Sequence, residues 1–246
     1  MNTATQQASP HQPALVSWLG YLALTFLVAL PLAVLTVRSG AWQQGLLVYA
    51  VSCLAAAILL VAALVMLLLP RYASWRRAVA GRALLTLPGT LLFLSILGGG
   101  DYPPIHDITT DPDDTLVFSA AEQQRGPDAN SLDTDPDTLR QQRESYPDLQ
   151  TLASSAAFDA VFDAALQVAT DMGWDVYLQD RNAGIIEAVA TTAIMGFRDD
   201  VIIRVRTNAD GSLVDMRSVS RVGVSDMGAN AARIRAFQQA LRERGI

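Results

Sequence analysis

The chain has 246 residues, 51% hydrophobic and 17% charged, with a formal net charge of −6. That charge is split: residues 1–100 hold five Arg and no carboxylate, while residues 101–246 hold all 24 Asp and Glu with 13 Arg, so −6 is the sum of +5 and −11. All the Lys+Arg residues are Arg, which excludes Schiff-base and lysine-nucleophile chemistry; a single Cys excludes an intrachain disulfide or a Cys-cluster zinc site; an acidic C-terminal half offers no basic face to nucleic acid.

Three apolar runs come first, at 14–37, 44–69 and 83–98. A membrane span needs about 20 apolar residues to cross about 30 Å of hydrocarbon, which the first two meet and the third only approaches. The first run is too long for a cleavable signal and lacks a basic n-region. Between the second and third runs lie Arg71, Arg76, Arg77 and Arg82, whereas the first loop holds only Arg38. The positive-inside rule therefore predicts a cytoplasmic tail at 1–13, a three-span region at 14–100, and everything after it outside. Trp18, Trp42, Tyr72, Trp75 and Tyr102 fall near span ends, as an aromatic belt requires. Inside the spans the polar groups are hydroxyls such as Thr25, Ser52 and Thr90, and Pro31 and Pro88 are ordinary kink residues. Without intramembrane charges or His, the spans read as an anchor and not a conduit.

Residues 101–150 are rich in Asp and Pro and read as an extended segment, with 119–138 the stretch whose order the sequence leaves open. Residues 151–246 read as a soluble α+β domain. Ser154 or Ser155 is a candidate N-cap for a helix whose apolar stripe is Phe158, Val161, Phe162, Ala165, Leu166 and Ala169, with Gly173 at C′. Four strands are predicted at 174–179, 185–191, 201–207 and 213–219, with Asp210-Gly211 as a hairpin signal. Alternation puts Ile186, Ala188, Val201, Ile203, Val205, Val214 and Met216 on one face, and Glu187, Arg204, Arg206, Asp215 and Arg217 on the other. A last helix at 229–242 buries Ile234, Phe237 and Leu241. The expected architecture is an α-helical anchor of three spans followed by an α+β domain, a four-stranded antiparallel sheet with helices on one face.

Four stretches could carry chemistry. PPIHDITTDPDD (103–114) holds His106 and Asp107, a candidate acid–base pair, with Asp111, Asp113 and Asp114 as candidate metal ligands beside Asp107. The plain alternative is a solvated tether whose prolines stop the third span. Asp133, Asp135, Asp137 and Glu144 fall at positions 1, 3, 5 and 12 of a calcium loop, but Thr138 stands where that loop needs Gly. In FRDD (197–200) adjacent carboxylates point to opposite strand faces, so Asp199 and Asp200 are not a dyad and are expected to pair with Arg221 or Arg233. RSVSRVGVSDMGANAARIR (217–235) puts a helix start beside several Arg. It is either an anion or partner site using Arg217, Arg221, Ser225, Asp226, Asn230 and Arg233, or a capped strand-to-helix junction stitched by Arg–Asp pairs.

PPIHDITTD, GFRDDVIIRV and RSVSRVGVSDMGANAARIRAF together resemble the bacterial domain of unknown function number 1499 family, over roughly 103–243. The resemblance implies a membrane-attached protein, as family members with preceding spans are, and carries no activity or site residues. A looser, fold-level likeness links Phe158–Leu166 and 180–184 to the helix-grip modules of periplasmic lipoproteins. The leading expectation is a non-catalytic protein of the bacterial inner membrane with its N-terminus cytoplasmic and its C-terminal domain periplasmic, without cofactor. Beyond the lipid bilayer it would bind an envelope protein or lipid partner, and no nucleic acid. The competing expectation is an anchored hydrolase or metal-dependent enzyme built on His106 and the nearby Asp residues.

Overall fold

A computed structural model describes residues 11–246, so most of the tail expected at 1–13 lies outside the described residues. The chain divides into two compact units, Met1–Gly99 and Gly100–Ile246.

The first unit contains α1 (Ala14–Arg38), α2 (Trp42–Leu68), a 3-10 turn (Pro70–Trp75) and α3 (Arg76–Leu97). All three are long and apolar enough to cross a membrane, with hydropathies of 2.2 and 2.9 for α1 and α2 and 1.6 for Pro70–Leu97. Their large side chains face outward, Leu47, Leu84 and Leu91 among them, the reverse of a water-soluble bundle. Small residues bring the backbones together: a Cβ on Gly89 would lie 2.6 Å from the Ala56 Cβ. The third helix begins seven residues before the expected 83, so Arg76, Arg77 and Arg82 lie in its first turns and not in a loop. Arg76 Nε donates to the Leu67 carbonyl, 3.2 Å, and the Arg82 side chain packs over Gly20.

The second unit runs β1 (Asp107–Thr109), a 3-10 turn (Ala121–Gln124), α4 (Pro136–Ser145), β2 (Leu152–Ser154), α5 (Phe158–Asp171), β3 (Asp175–Asp180), β4 (Ile185–Thr191), β5 (Arg198–Asn208), β6 (Gly211–Ser220) and α6 (Ala229–Glu243). The sheet has six strands, not the expected four. It is antiparallel in the order β1-β6-β5-β4-β3, and β2 also pairs with β6. The two missed strands have three residues each, too few to show a period of two, and both lie along the outer edge of β6.

On one face α5 and α6 close a core through Phe162, Val168, Ile234 and Phe237 over Ile186, Val201, Ile203, Val214 and Met216. Helix α5 starts after Ala157, and the expected cap Ser154 instead accepts the Ala156 N–H, 3.1 Å. Gly173 follows the C-cap with φ +73°, as expected. The β5–β6 reversal falls at Ala209–Asp210, one residue before the expected pair, with Asn208 opposite Gly211.

The charged face is not open to water. Glu187, Asp200 and Asp215 are fully buried, covered by residues from the segment that precedes α4. Leu116 is buried there, Arg217 Nη2 donates to the Leu132 carbonyl, and the Ser119 and Ala120 N–H groups meet Glu187. The segment at 101–150 thus contributes a strand, two helical pieces and a lid on the sheet; its Asp and Pro content concealed this because its contacts are long-range hydrogen bonds, not apolar periodicity.

Candidate functional site

The junction between β6 and α6 begins at Arg217, held deep in the sheet at 1% exposure. Its guanidinium forks onto Asp107 of β1, Nε–Oδ1 2.9 Å and Nη2–Oδ2 2.6 Å, and donates to the carbonyls of Leu116 and Leu132. Every edge of the fork is used. Arg221 is held likewise by Asp200, Nη2–Oδ1 2.6 Å, and by the Gln124 carbonyl. On the helix side of the sheet Arg233 pairs with Asp199 and bonds Ser218 and Asn230. The FRDD carboxylates therefore split between faces as strand geometry requires, Asp200 to Arg221 and Asp199 to Arg233.

Asn230 explains why a poor helix former stands in the first turn of α6. It is fully buried, its Nδ2 donates to Ser220 Oγ and the His106 carbonyl, both 2.9 Å, and its Oδ1 accepts from Ser218 Oγ, 2.7 Å. Asp226 caps the helix from two residues before its N-cap, Gly228: the N–H groups of Gly228 and Asn230 donate to it at 2.8 and 2.7 Å. Burial pushes the Asp226 carboxyl above the usual carboxylate range, and its two N–H donors only partly offset that. Ser225 Oγ donates to the Pro103 carbonyl, 3.1 Å.

Arg217, Arg221 and Arg233 already hold internal carboxylates, and Asp226 fills the positive end of α6 where an external anion would sit. The loop from β6 into α6 leaves Val224, Ser225 and Met227 exposed, two of the three apolar, with Met227 in a left-handed conformation of φ 52°.

His106 and Asp107, the candidate acid–base pair, are placed apart. Asp107 turns into the sheet toward Arg217, while His106 is half-buried with its ring Nδ1 3.4 Å from the Val224 carbonyl. The candidate metal ligands are each taken up by arginines, Asp107 by Arg217, Asp111 by Arg204 and Arg206, Asp113 by Arg143, and Asp114 by the same Arg204. Among the described residues no three His, Cys, Asp or Glu side chains converge as metal ligands. The calcium-loop spacing is a helix start, with Asp135 accepting from the Asp137 and Thr138 N–H groups and Pro136 in the first turn of α4. Hydrogen bonding to Thr138, then to the Asp137 N–H, holds Asp135 below the usual carboxylate range.

Sequence reasoning missed three groups. Glu187 accepts from Ser119 N and Oγ, Ala120 N and Tyr177 Oη; burial first, then the Glu187 charge, pushes the Tyr177 phenol far above its ordinary value. Asn130 ties its segment to the carbonyls of Ser220 and Gly223. Arg125 lies 2.9 Å from Asp200, yet its buried Nε and Nη2 have no hydrogen-bond partner, and burial pushes its guanidinium below its usual range. No local signal marks these, since every partner except Tyr177 is tens of residues away. A cleft of about 500 Å³ lies between the turn at 110–113 and the end of α4; its charged lining, Asp111, Asp113 and Arg143, is already paired.

Fold and site together define an α+β domain with a sealed, internally paired layer of charge, on a chain that also carries three helices apolar enough to span a membrane. The family described as protein of unknown function DUF1499 matches residues 107–241, from the first residue of β1 to near the end of α6, and the chain belongs to that family. A comparison with curated proteins finds no match.

Proposed function

We propose that this protein is a membrane-anchored, non-catalytic binding domain of the bacterial envelope, held in the inner membrane by α1–α3 with its C-terminal unit on the periplasmic side. The side assignment rests on Arg71 in the turn after the second span and Arg76, Arg77 and Arg82 in the first turns of the third, a cluster of cations at one end of these helices that marks a cytoplasmic side. The observation that carries the binding reading is the contrast at the β6–α6 junction: its charged groups are consumed by internal pairs, while Val224 and Met227 are left in solvent. A surface of that kind recognises an apolar or amphipathic partner, a lipid or an envelope protein, by burial.

Native mass spectrometry of the full chain, extracted gently from its own membrane, tests this. Retained lipid or a partner subunit is expected, reduced in the Val224→Asp, Met227→Asp double variant at an unchanged unfolding midpoint. A bare monomer would overturn the binding reading. A reporter fused after Ile246 and active only in the cytoplasm would overturn the side assignment.

A further inference from the structure

Five large apolar side chains of the C-terminal unit are strongly exposed: Tyr102 (45%), Val117 (81%), Ile194 (69%), Val224 (74%) and Met227 (69%). Four of them gather at one end of the sheet, and the register requires it. The β4–β5 loop carrying Ile194 joins Thr191 to Arg198, and Asp199 opposes Ser220, so this loop and the one at 221–227 leave the sheet at the same end. Strand β1 enters there too, Asp107 opposite Val219, which places Tyr102 just beyond it. Direct contacts agree: the Asp226 N–H donates to the Ile105 carbonyl, 3.2 Å, and a Cβ on Gly228 would stand 2.7 Å from the Tyr102 ring. Val117 alone lies elsewhere, on the segment over the charged face.

The chain itself supplies the occupant. Helix α3 ends at Leu97 and Tyr102 follows five residues later. A chain spans at most about 3.6 Å per residue, so whatever the orientation of the domain, Tyr102 stays within about 18 Å of that helix end. The headgroup layers widen a bilayer from about 30 Å of hydrocarbon to about 40–45 Å, so they begin where a spanning helix stops. Tyrosine at such a boundary has its ring in the apolar side and its hydroxyl in the wet side. Arg198, exposed and without an ion pair among the described residues, adds a cation at the same end for anionic headgroups.

We propose that the Tyr102–Val224–Met227 end of the domain docks into the lipid headgroup layer of the membrane that holds α1–α3, resting on the anchored binding reading above and committing it to a lipid surface. Val224 and Met227 enter the interface as wedges on either side of Ser225, and Arg198 meets lipid phosphate.

The test uses the full chain in vesicles of phosphatidylethanolamine and phosphatidylglycerol, with an environment-sensitive fluorophore on single cysteines in a Cys53→Ala background. Val224→Cys and Met227→Cys report the patch, Val117→Cys reports the exposed apolar control, and Leu91→Cys reports the third span. Quenching of the patch labels by headgroup-depth nitroxide lipid is expected to exceed that at Val117 several-fold, with matching protection from aqueous iodide. Patch labels that behave like Val117 overturn the proposal. Patch labels shielded from lipid and from iodide also overturn it, in favour of a protein or a second copy, and leave the binding reading standing. A Leu91 label left unquenched by lipid carrying its nitroxide on the acyl chain removes the anchor and the proposal together. Val224→Cys carries the result should Met227→Cys loosen its left-handed turn.

Discussion

Asp107 and Arg217 stand 110 residues apart in sequence and hold each other in the interior through two parallel hydrogen bonds, 2.9 and 2.6 Å, at the point where the first strand of the domain meets the last. Two further carbonyls, of Leu116 and Leu132, saturate the same guanidinium. One side chain thus fastens β1, β6 and the segment covering the charged face.

Removing either partner alone strands the other charge in a dry site. Asp107→Leu and Arg217→Met are each expected to cost about 3–5 kcal/mol, and the double variant that combines them to cost less than the sum of the two. Denaturant unfolding of the full chain, followed by C-terminal domain signals, measures this. Additive costs would show that the pair is not energetically coupled.

Arg221 and Arg125 share Asp200 but should respond in opposite ways. Asp200 is satisfied by Arg221 alone, while Arg125 brings a second buried cation whose Nε and Nη2 bond nothing. Arg125→Met removes that unpaired donor set and leaves a neutral pair, so stability is expected to hold or rise by about 1 kcal/mol. Arg221→Met leaves Asp200 facing only the poorly directed Arg125 and is expected to cost about 3–5 kcal/mol. Equal losses in the two variants would refute the distinction.

These pairs show where sequence reading stops. Helices α5 and α6 and strands β3 to β6 were legible because apolar residues recur at helix or strand period, and the Asp199 and Asp200 split followed from strand alternation alone. Strands β1 and β2 were not, being shorter than two periods. Alternation alone gathers Glu187, Arg204, Asp215 and Arg217 on one face, where Arg204 does pair with Asp215 across strands, but it cannot show what covers that face. Ser119, Asn130 and Leu132 contribute backbone groups and short polar side chains, which carry no periodicity at any distance. Gly228 and Asn230 are poor helix formers at the start of α6, and this breach of local rules serves packing, through Asn230, as well as surface display, through Met227.

Asp226 gives the domain a pH signature. Its folded carboxyl lies above the ordinary carboxylate value of about 3.9, chiefly because it is buried. A group raised on folding contributes stability that is complete below its unfolded value and lost as pH rises through its folded value. Relative to the non-titrating Asp226→Asn, the native chain should therefore gain stability as pH falls from neutral through the acid range. Asp148, held low chiefly by its hydrogen bond from Arg235, works the other way and loses its contribution as pH falls, but it is common to both proteins and cancels in the difference. Unfolding free energies of the two chains across this range measure the trend, and a flat difference would contradict it.

Gly173 and Gly184 have nearly the same backbone, φ +73° and +70°, and differ in what surrounds them. Around Gly173 a Cβ would meet nothing within 4 Å, so Gly173→Ala is expected to cost only the left-handed conformation, about 1–2 kcal/mol. At Gly184, between β3 and β4, a Cβ would collide with the Val205 carbonyl and come 3.2 Å from Phe158 Cε2. The Val205 N–H donates to the Gly184 carbonyl at 2.8 Å, so the strand cannot retreat without breaking that bond. Gly184→Ala is therefore expected to add about 1–3 kcal/mol of overpacking to the conformational cost. Thermal unfolding of the two variants side by side decides it: equal losses would mean that the tight approach of β5 to this turn relaxes freely, and that only backbone conformation selects glycine there.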